Sequence, residues 1–224
     1  MPRVLLAAGV IGLLAAIISI AVGQGGPEKI EITGTERVQQ LVAGIAQDGP
    51  YLGPSDAEVT VTVFNDLQCP SCADYQLGTV DPVIEEYART GRARLEFRNF
   101  SLGQAETTTS AYAATAAGEQ DREWQYIELL FRNQEAAPQG TVTDEFLQDI
   151  GNAIPDFDLD AWKRARSSAE VKGRVEADAQ LAIDLRLTAQ PAIVITGPTG
   201  EPRKLEGKPS VAEVESAVAA VAGP

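Results

Sequence analysis

Read by its apolar and polar positions, the chain falls into recognisable pieces. Val4 to Val22 is a run of 19 residues whose only polar side chain is Ser19. As a helix it would span roughly 29 Å, about the thickness of a bilayer core. Glu36 to Gln47 carries Val38, Leu41, Val42 and Ile45 at helical spacing, with Thr35 as an N-cap and Asp48-Gly49-Pro50 as a stop. Glu58 to Phe64 alternates as a strand, and so does Arg94 to Phe100. Between them a helix is expected from Cys69 towards Arg89, kinked near Gly78 or Pro82. No strand signal appears in the next stretch. Thr107 to Gly118 is alanine-rich, and Trp124 to Arg132 puts Trp124, Ile127, Leu130 and Phe131 on one face. Further helices are expected over Asp144 to Ile150, Leu159 to Ala165 and Glu170 to Leu187. Trp124 and Trp162 read as core residues of this helical region. A short apolar strand, Ala192 to Ile195, then meets a turn at Gly197-Pro198-Thr199-Gly200 and a returning strand near Arg203 to Leu205. Ser210 and Glu213 form a capping box ahead of a last helix with Val211, Val214, Val218 and Val221 on its inner face.

This order divides the chain into an N-terminal anchor or signal over 1–22, a linker over 23–34 and one domain over 35–224. The domain's helical insertion covers about 102–187. Lys29 to Thr33 alternates and reads as a short strand or as more tether. Arg3 ahead of the apolar run favours a cytoplasmic N-terminus and an exported body. The run is longer than a usual signal-peptide core, which favours an uncleaved anchor. Cleavage after Ala21-Val22-Gly23 stays open, and would make the protein secreted.

Charge narrows the partners. The chain carries 18 Lys and Arg against 32 Asp and Glu, a net charge of −14, which repels nucleic acid and anionic lipid headgroups. The charges are dispersed and read as a solubilising surface.

The chemistry lies in the only two cysteines, Cys69-Pro70-Ser71-Cys72, which follow the first strand directly. A bridge across so small a loop removes little chain entropy, so it is a poor structural staple. A helix N-terminus at Pro70 would stabilise a Cys69 thiolate, the reactive form, and Cys72 one turn further in would be the resolving thiol. A structural disulfide and a metal site are the other readings. The second is poor because the chain has no histidine. Asp66 is either a turn former or a group acting directly on the cysteines.

Taken in order, the segments Tyr51-Leu52-Gly53, Val63 to Cys72, Leu95 to Phe100, Trp124 to Asn133 and Leu187-Thr188-Ala189-Gln190-Pro191 resemble the DsbA-like thioredoxin-fold oxidoreductases. The likeness is to the membrane-tethered or secreted branch common in Gram-positive bacteria, over about residues 50–222. It implies an α/β protein of thioredoxin fold, with β-α-β and β-β-α halves around a helical insertion, behind a transmembrane helix. It implies a catalytic pair Cys69 and Cys72, tuned by the intervening Pro70 and Ser71, and a redox-active disulfide in place of any cofactor or metal. Strongly oxidising relatives carry histidine between the cysteines; Ser71 offers a hydrogen bond but no charge, so a milder oxidant is expected. Pro191 is expected to form a cis bond with Gln190 and to face the cysteines. Gln190 and Pro191 would then bind an extended substrate peptide. Val63 stands where thioredoxin has a buried carboxylate, so proton transfer at Cys72 must use water or another group.

The activity implied is disulfide formation in exported cysteine-containing proteins, with reoxidation by a membrane quinone-linked partner. An extracytoplasmic reductase is the second reading. A non-catalytic thioredoxin-fold interaction module is the third.

Overall fold

The computed structural model describes residues 30–102, 108–137 and 142–223. The apolar run Val4 to Val22 lies outside them. Among the described residues no helix is long and apolar enough to cross a membrane.

Among the described residues β1 (Gln47–Asp48), β2 (Tyr51–Leu52), β3 (Thr60–Asn65), β4 (Arg94–Asn99), β5 (Ala192–Thr196) and β6 (Arg203–Glu206) form a six-stranded mixed sheet of order β1-β2-β4-β3-β5-β6. Its centre is β3 (Thr60–Asn65), where Val61, Val63 and Phe64 are completely buried. Strand β4 (Arg94–Asn99) runs parallel to β3, with Val63 opposite Phe97. On the other side β5 (Ala192–Thr196) runs antiparallel, with Val63 opposite Ile193 and Phe64 opposite Ala192. The hairpin partner β6 (Arg203–Glu206) is an edge. A parallel pair cannot be joined by a tight turn, so the chain between β3 and β4 must cross over as a helix. These are the expected β-α-β and β-β-α halves of a thioredoxin fold.

The crossover begins with α2 (Pro70–Tyr75) and continues through a π turn (Gln76–Val80), α3 (Asp81–Val83) and a second π turn (Ile84–Ala88). The expected irregularity near Gly78 and Pro82 thus takes the form of π turns. Asp81 N–H bonds to Gln76 O, five residues back, and Pro82 supplies no N–H to restore the usual ladder.

Helices cover both faces of the sheet. Val61, Val63, Ile193 and Ile195 share a core with Val83, Ile84, Val214 and Val218. On the opposite face Phe64, Ala192 and Val194 meet Phe100, Ala182 and Leu187. Each such large side chain, fully buried, contributes about 1.5–3 kcal/mol. The closing helix α9 (Val211–Val221) carries the expected capping box, Ser210 and Glu213 bonding reciprocally. Its buried residues are Val214, Ala217, Val218 and Val221, with Val211 at the margin.

Between β4 and β5 lie α4 (Thr108–Gly118), α5 (Glu123–Arg132), α6 (Asp144–Asn152), α7 (Leu159–Arg166) and α8 (Ala169–Asp184). Both tryptophans are core residues, as their spacing indicated. Trp124 Nε1 donates to Pro50 O and Trp162 Nε1 to Ala113 O, each at 2.8 Å, so neither buried indole leaves its donor unpaired. The inner face of α8 is not wholly apolar. It carries Asp178 with Val171 and Ala182, while Ile183 faces solvent. Asp178 receives hydrogen bonds from Arg98 at 2.8 Å and from the Asn99 backbone at 3.0 Å, which fastens α8 to the end of β4.

The N-terminal part departs most from expectation. Helix α1 covers Thr35–Val42, with Gly34 rather than Thr35 at the N-cap. It ends before Ile45, because Ala43 turns extended and Gly44 takes a φ of 75°. The supposed helix stop is a hairpin. Strands β1 (Gln47–Asp48) and β2 (Tyr51–Leu52) pair across Gly49-Pro50, and β2 adds to β4 through Leu52 opposite Leu95. Burial of Leu52 makes so short a strand stable. Residues Ile30 to Thr33 form no strand. Thr33 instead exchanges hydrogen bonds with the Asn133 side chain, 2.9 Å from its N–H and 3.0 Å to its carbonyl, and Ile30 and Ile32 pack against the core.

Candidate functional site

The cysteines sit where β3 gives way to α2, at the end of the central strand. Asp66 shapes that turn. Its Oδ1 accepts from Gln68 N at 2.9 Å, and its carbonyl accepts from Cys69 N at 3.2 Å. Cys69 is then the N-cap of α2, in extended conformation, and Pro70 occupies the first turn, where no N–H is needed. The Cys69 carbonyl takes the first helical bonds, from Cys72 N at 3.0 Å and Ala73 N at 3.1 Å. Local sequence alone therefore places both cysteines: a turn residue, an N-cap, a proline and one helical turn.

The two thiols are free and differ in environment. Cys69 is half-buried and Cys72 has no exposed surface. Burial pushes the Cys69 thiol up, but the Cys72 thiol, the Ser71 hydroxyl, the Cys72 backbone N–H and the Gln190 side chain together bring it below its ordinary value. Ser71 Oγ lies 3.1 Å from the Cys69 sulfur. Cys72 moves strongly the other way. Burial is the main cause, with the hydrogen bond to Cys69 and the charges of Cys69 and Asp66 adding to it. One sulfur is thus accessible and inclined to ionise, and the other is enclosed and inclined to hold its proton.

Pro191 follows a cis bond from Gln190, as expected. The pairing of Phe64 with Ala192 brings this bond beside the β3–α2 turn, although 119 residues separate Pro191 from Cys72. The Gln190 side chain fills the gap. Its Oε1 accepts from Leu102 N at 2.9 Å, its Nε2 lies 3.4 Å from Asp66 Oδ2, and it reaches the Cys69 sulfur. Cys69, Pro70, Ser71, Cys72 and Gln190 are therefore gathered in one place, with Pro191 next to them in the chain. Asp66 serves the turn and holds Gln190.

Behind Cys72 lies a buried polar chain that sequence reasoning missed. Asn65 Nδ2 donates to Gln76 Oε1 at 3.2 Å and lies 3.5 Å from the Cys72 carbonyl. Gln76 Nε2 donates to Glu128 Oε1 at 2.7 Å, and Arg132 joins Glu128 to Asp81. Burial, helped by Asp81, pushes the Glu128 carboxyl well above the usual carboxylate range. The only sequence signal was a glutamate and an arginine four residues apart in α5, which also describes an ordinary surface pair. Among the described residues no group of three or more Cys, Asp, Glu or His is placed to hold a metal ion.

Oxidised to a disulfide, such a pair can accept attack at one sulfur and release the other, and reduced it offers an attacking thiolate, which is the geometry of thiol–disulfide exchange. Known proteins agree. The family described as Thioredoxin matches residues 46–218. A probable disulfide bond formation protein D of Bacillus anthracis is 28% identical over 154 residues, covering 67% of this chain and 71% of that protein. Disulfide bond formation protein D of Bacillus subtilis is 26% identical over 165 residues, covering 72% and 74%. Among solved structures, oxidised BdbD from Bacillus subtilis superposes with a TM-score of 0.66 at 22% identity, over 78% of this chain and 95% of that one. The α-DsbA1 of Wolbachia pipientis gives 0.64 at 19% identity, over 76% and 88%. The Thioredoxin match spans the turn, the cysteines, the cis-proline and most of the closing helix, and the chain belongs to that family as a DsbA-like thiol:disulfide oxidoreductase.

Proposed function

We propose that the Cys69–Cys72 couple donates its disulfide to exported cysteine-containing proteins. A substrate thiolate attacks the Cys69 sulfur of the oxidised pair. The Cys69–Cys72 bond breaks, and Cys72 leaves with the electron pair and takes up a proton. A second substrate thiolate then attacks the substrate sulfur of the mixed disulfide and expels Cys69 as thiolate. The substrate loses two electrons and the enzyme gains them. The observation carrying this reading is the opposed shift of the two thiols. A favoured Cys69 thiolate stabilises the reduced enzyme, which makes its disulfide more oxidising. Ser71 in place of a charged residue makes it a mild oxidant.

The substrate peptide runs extended past Gln190 and Pro191 and pairs with the backbone there. A membrane quinone-linked partner reoxidises the enzyme. Residues 1–22 anchor it, 23–34 tether it, and 35–224, with the insertion at about 102–187, work outside the cytoplasm. The names of the Bacillus relatives support the direction of transfer.

Cys72→Ser tests the roles. It is expected to accumulate mixed disulfides with a disulfide-bonded peptide, whose bond the lone Cys69 thiolate opens with release of the other peptide thiolate, visible on non-reducing gels, while Cys69→Ser forms none. A Cys72→Ser protein that forms no adducts although Cys69 is readily alkylated would refute the exchange mechanism. Equilibration with glutathione tests the direction: a couple more reducing than glutathione would make the enzyme a reductase.

A further inference from the structure

We propose that Glu206 is a positioning residue for disulfide exchange: it holds the loop that presents Gln190 and Pro191 to Cys69. The inference rests on the reading of Cys69 as the attacked sulfur.

Glu206 ends the edge strand β6, where its backbone pairs with Ala192, the residue after Pro191. Its side chain turns back to the residues on the other side of the proline. A single oxygen, Oε2, accepts from Thr188 N at 2.6 Å, from Thr188 Oγ1 at 2.9 Å and from Ala189 N at 2.9 Å. The cis bond is therefore bracketed by one residue, whose backbone holds the strand after it and whose carboxylate holds the loop before it. Two successive backbone N–H groups aimed at one oxygen form an anion site, and a carboxylate fits it better than a neutral group. The Thr188 N–H most of all, with the Thr188 hydroxyl, the Ala189 N–H and Lys204, outweighs burial and holds the Glu206 carboxyl down to about 2.

The second half of the device is Lys204. Its Nζ lies 3.3 Å from Glu206 Oε1 and donates to Leu185 O at 3.2 Å and Arg186 O at 3.4 Å. These carbonyls close the C-terminus of α8, where cations are favoured. Lys204 and Glu206 thus fasten the connection from α8 to Pro191 at both ends. Between them Leu187 N bonds to Ala182 O at 3.0 Å and the Leu187 side chain is buried with Phe64 and Phe100. Gln190 itself is held at 2.9 Å from Leu102 N and at a long 3.4 Å from Asp66. The engagement of the Thr188 and Ala189 N–H groups also leaves the backbone nearer Pro191 as the part that can pair with a substrate.

Glu206→Ala frees the loop while leaving the cysteines and their helix untouched. The Gln190 side chain then meets the Cys69 sulfur less often, so the alkylation profile of Cys69 shifts to higher pH. Substrate binding weakens at the same time. KM for a dithiol peptide is expected to rise about tenfold, the equivalent of one charge-assisted hydrogen bond, with kcat changed much less. Glu206→Gln keeps an acceptor and is expected to restore part of both. Lys204→Met, which removes only the α8 end of the staple, gives a smaller shift in the same direction and serves if Glu206→Ala folds poorly. Trp162→Phe, in the helical region, is the control for lost stability and leaves the Cys69 profile unchanged. Profiles are recorded between about pH 5 and 9, where Glu206 stays ionised. A Glu206→Ala protein with lowered Tm but the original Cys69 profile and KM would overturn this inference alone. An unmodified protein whose Cys69 titrates as an ordinary cysteine would overturn both it and the reading of the site.

Discussion

Ser71→Ala probes the chemistry of the cysteine pair with the smallest change. The Ser71 hydroxyl lies 3.1 Å from the Cys69 sulfur and is one of the groups that lower its pKa. A hydrogen bond to a charged acceptor contributes about 1.5–3 kcal/mol in a protected site. Cys69 and Ser71 are both half-exposed, and solvent screening reduces the figure to about 1 kcal/mol. At 1.36 kcal/mol per unit, the Cys69 thiolate should titrate about 0.7 units higher in the alanine variant. Because the reduced enzyme loses that stabilisation, the couple should become more reducing by about 20 mV, measured at a pH where Cys69 is ionised in both proteins. The Cys72 N–H and the Gln190 side chain still act on Cys69, and burial still holds Cys72 up, so Cys69 stays the more acidic thiol. The assay is alkylation rate against pH, followed by equilibration with glutathione buffers. Ser71→His supplies a cation and should move both quantities the other way. Unchanged inflections in Ser71→Ala, or a shift to lower pH, would refute the assignment of Ser71 as a donor to the thiolate.

Other expectations concern the frame of the site. Asp178→Asn should lower stability by about 3 kcal/mol, since it leaves Arg98 partly buried with one carboxylate partner fewer, and Tm should fall by roughly 6–12 °C; a fall under about 2 °C in thermal unfolding would contradict the tie between α8 and β4. Gly197→Ala should destabilise as well, because the added Cβ would lie 2.4 Å from the Val221 carbonyl oxygen, and unchanged thermal unfolding would contradict this close approach of turn and helix. Glu206 has a folded-state pKa of about 2 against an ordinary 4.5, so its contribution to stability is present above pH 4.5 and lost as pH falls through 2. Acid unfolding of Glu206→Gln should accordingly be flatter across that window, and an identical acid limb would contradict the depressed value.

What the sequence determined by itself is whatever short-range chemistry decides. Cys69-Pro70-Ser71-Cys72 sits at a helix start because an N-cap, a proline in the first turn and a preceding strand are all neighbours in the chain. Ser210 and Glu213 announce the last helix for the same reason. The apolar alternation of β3 and β4 and the short apolar run of β5 marked their places, and the tryptophans of the helical region were legible as core. Tertiary structure decided the rest. The strands β1 and β2, two residues each, exist only because the edge of β4 accepts them, and no local pattern distinguishes them from a turn. The polar partners were equally hidden. Glu128 meets Gln76 across 52 residues, Asp178 meets Arg98 across 80, and Glu206 meets Thr188 across 18. Hydrophobic periodicity reports which face of an element is buried. It carries no information on which polar side chain another element will bring to that face, and in this protein that meeting decides how Gln190 and Pro191 are held against Cys69.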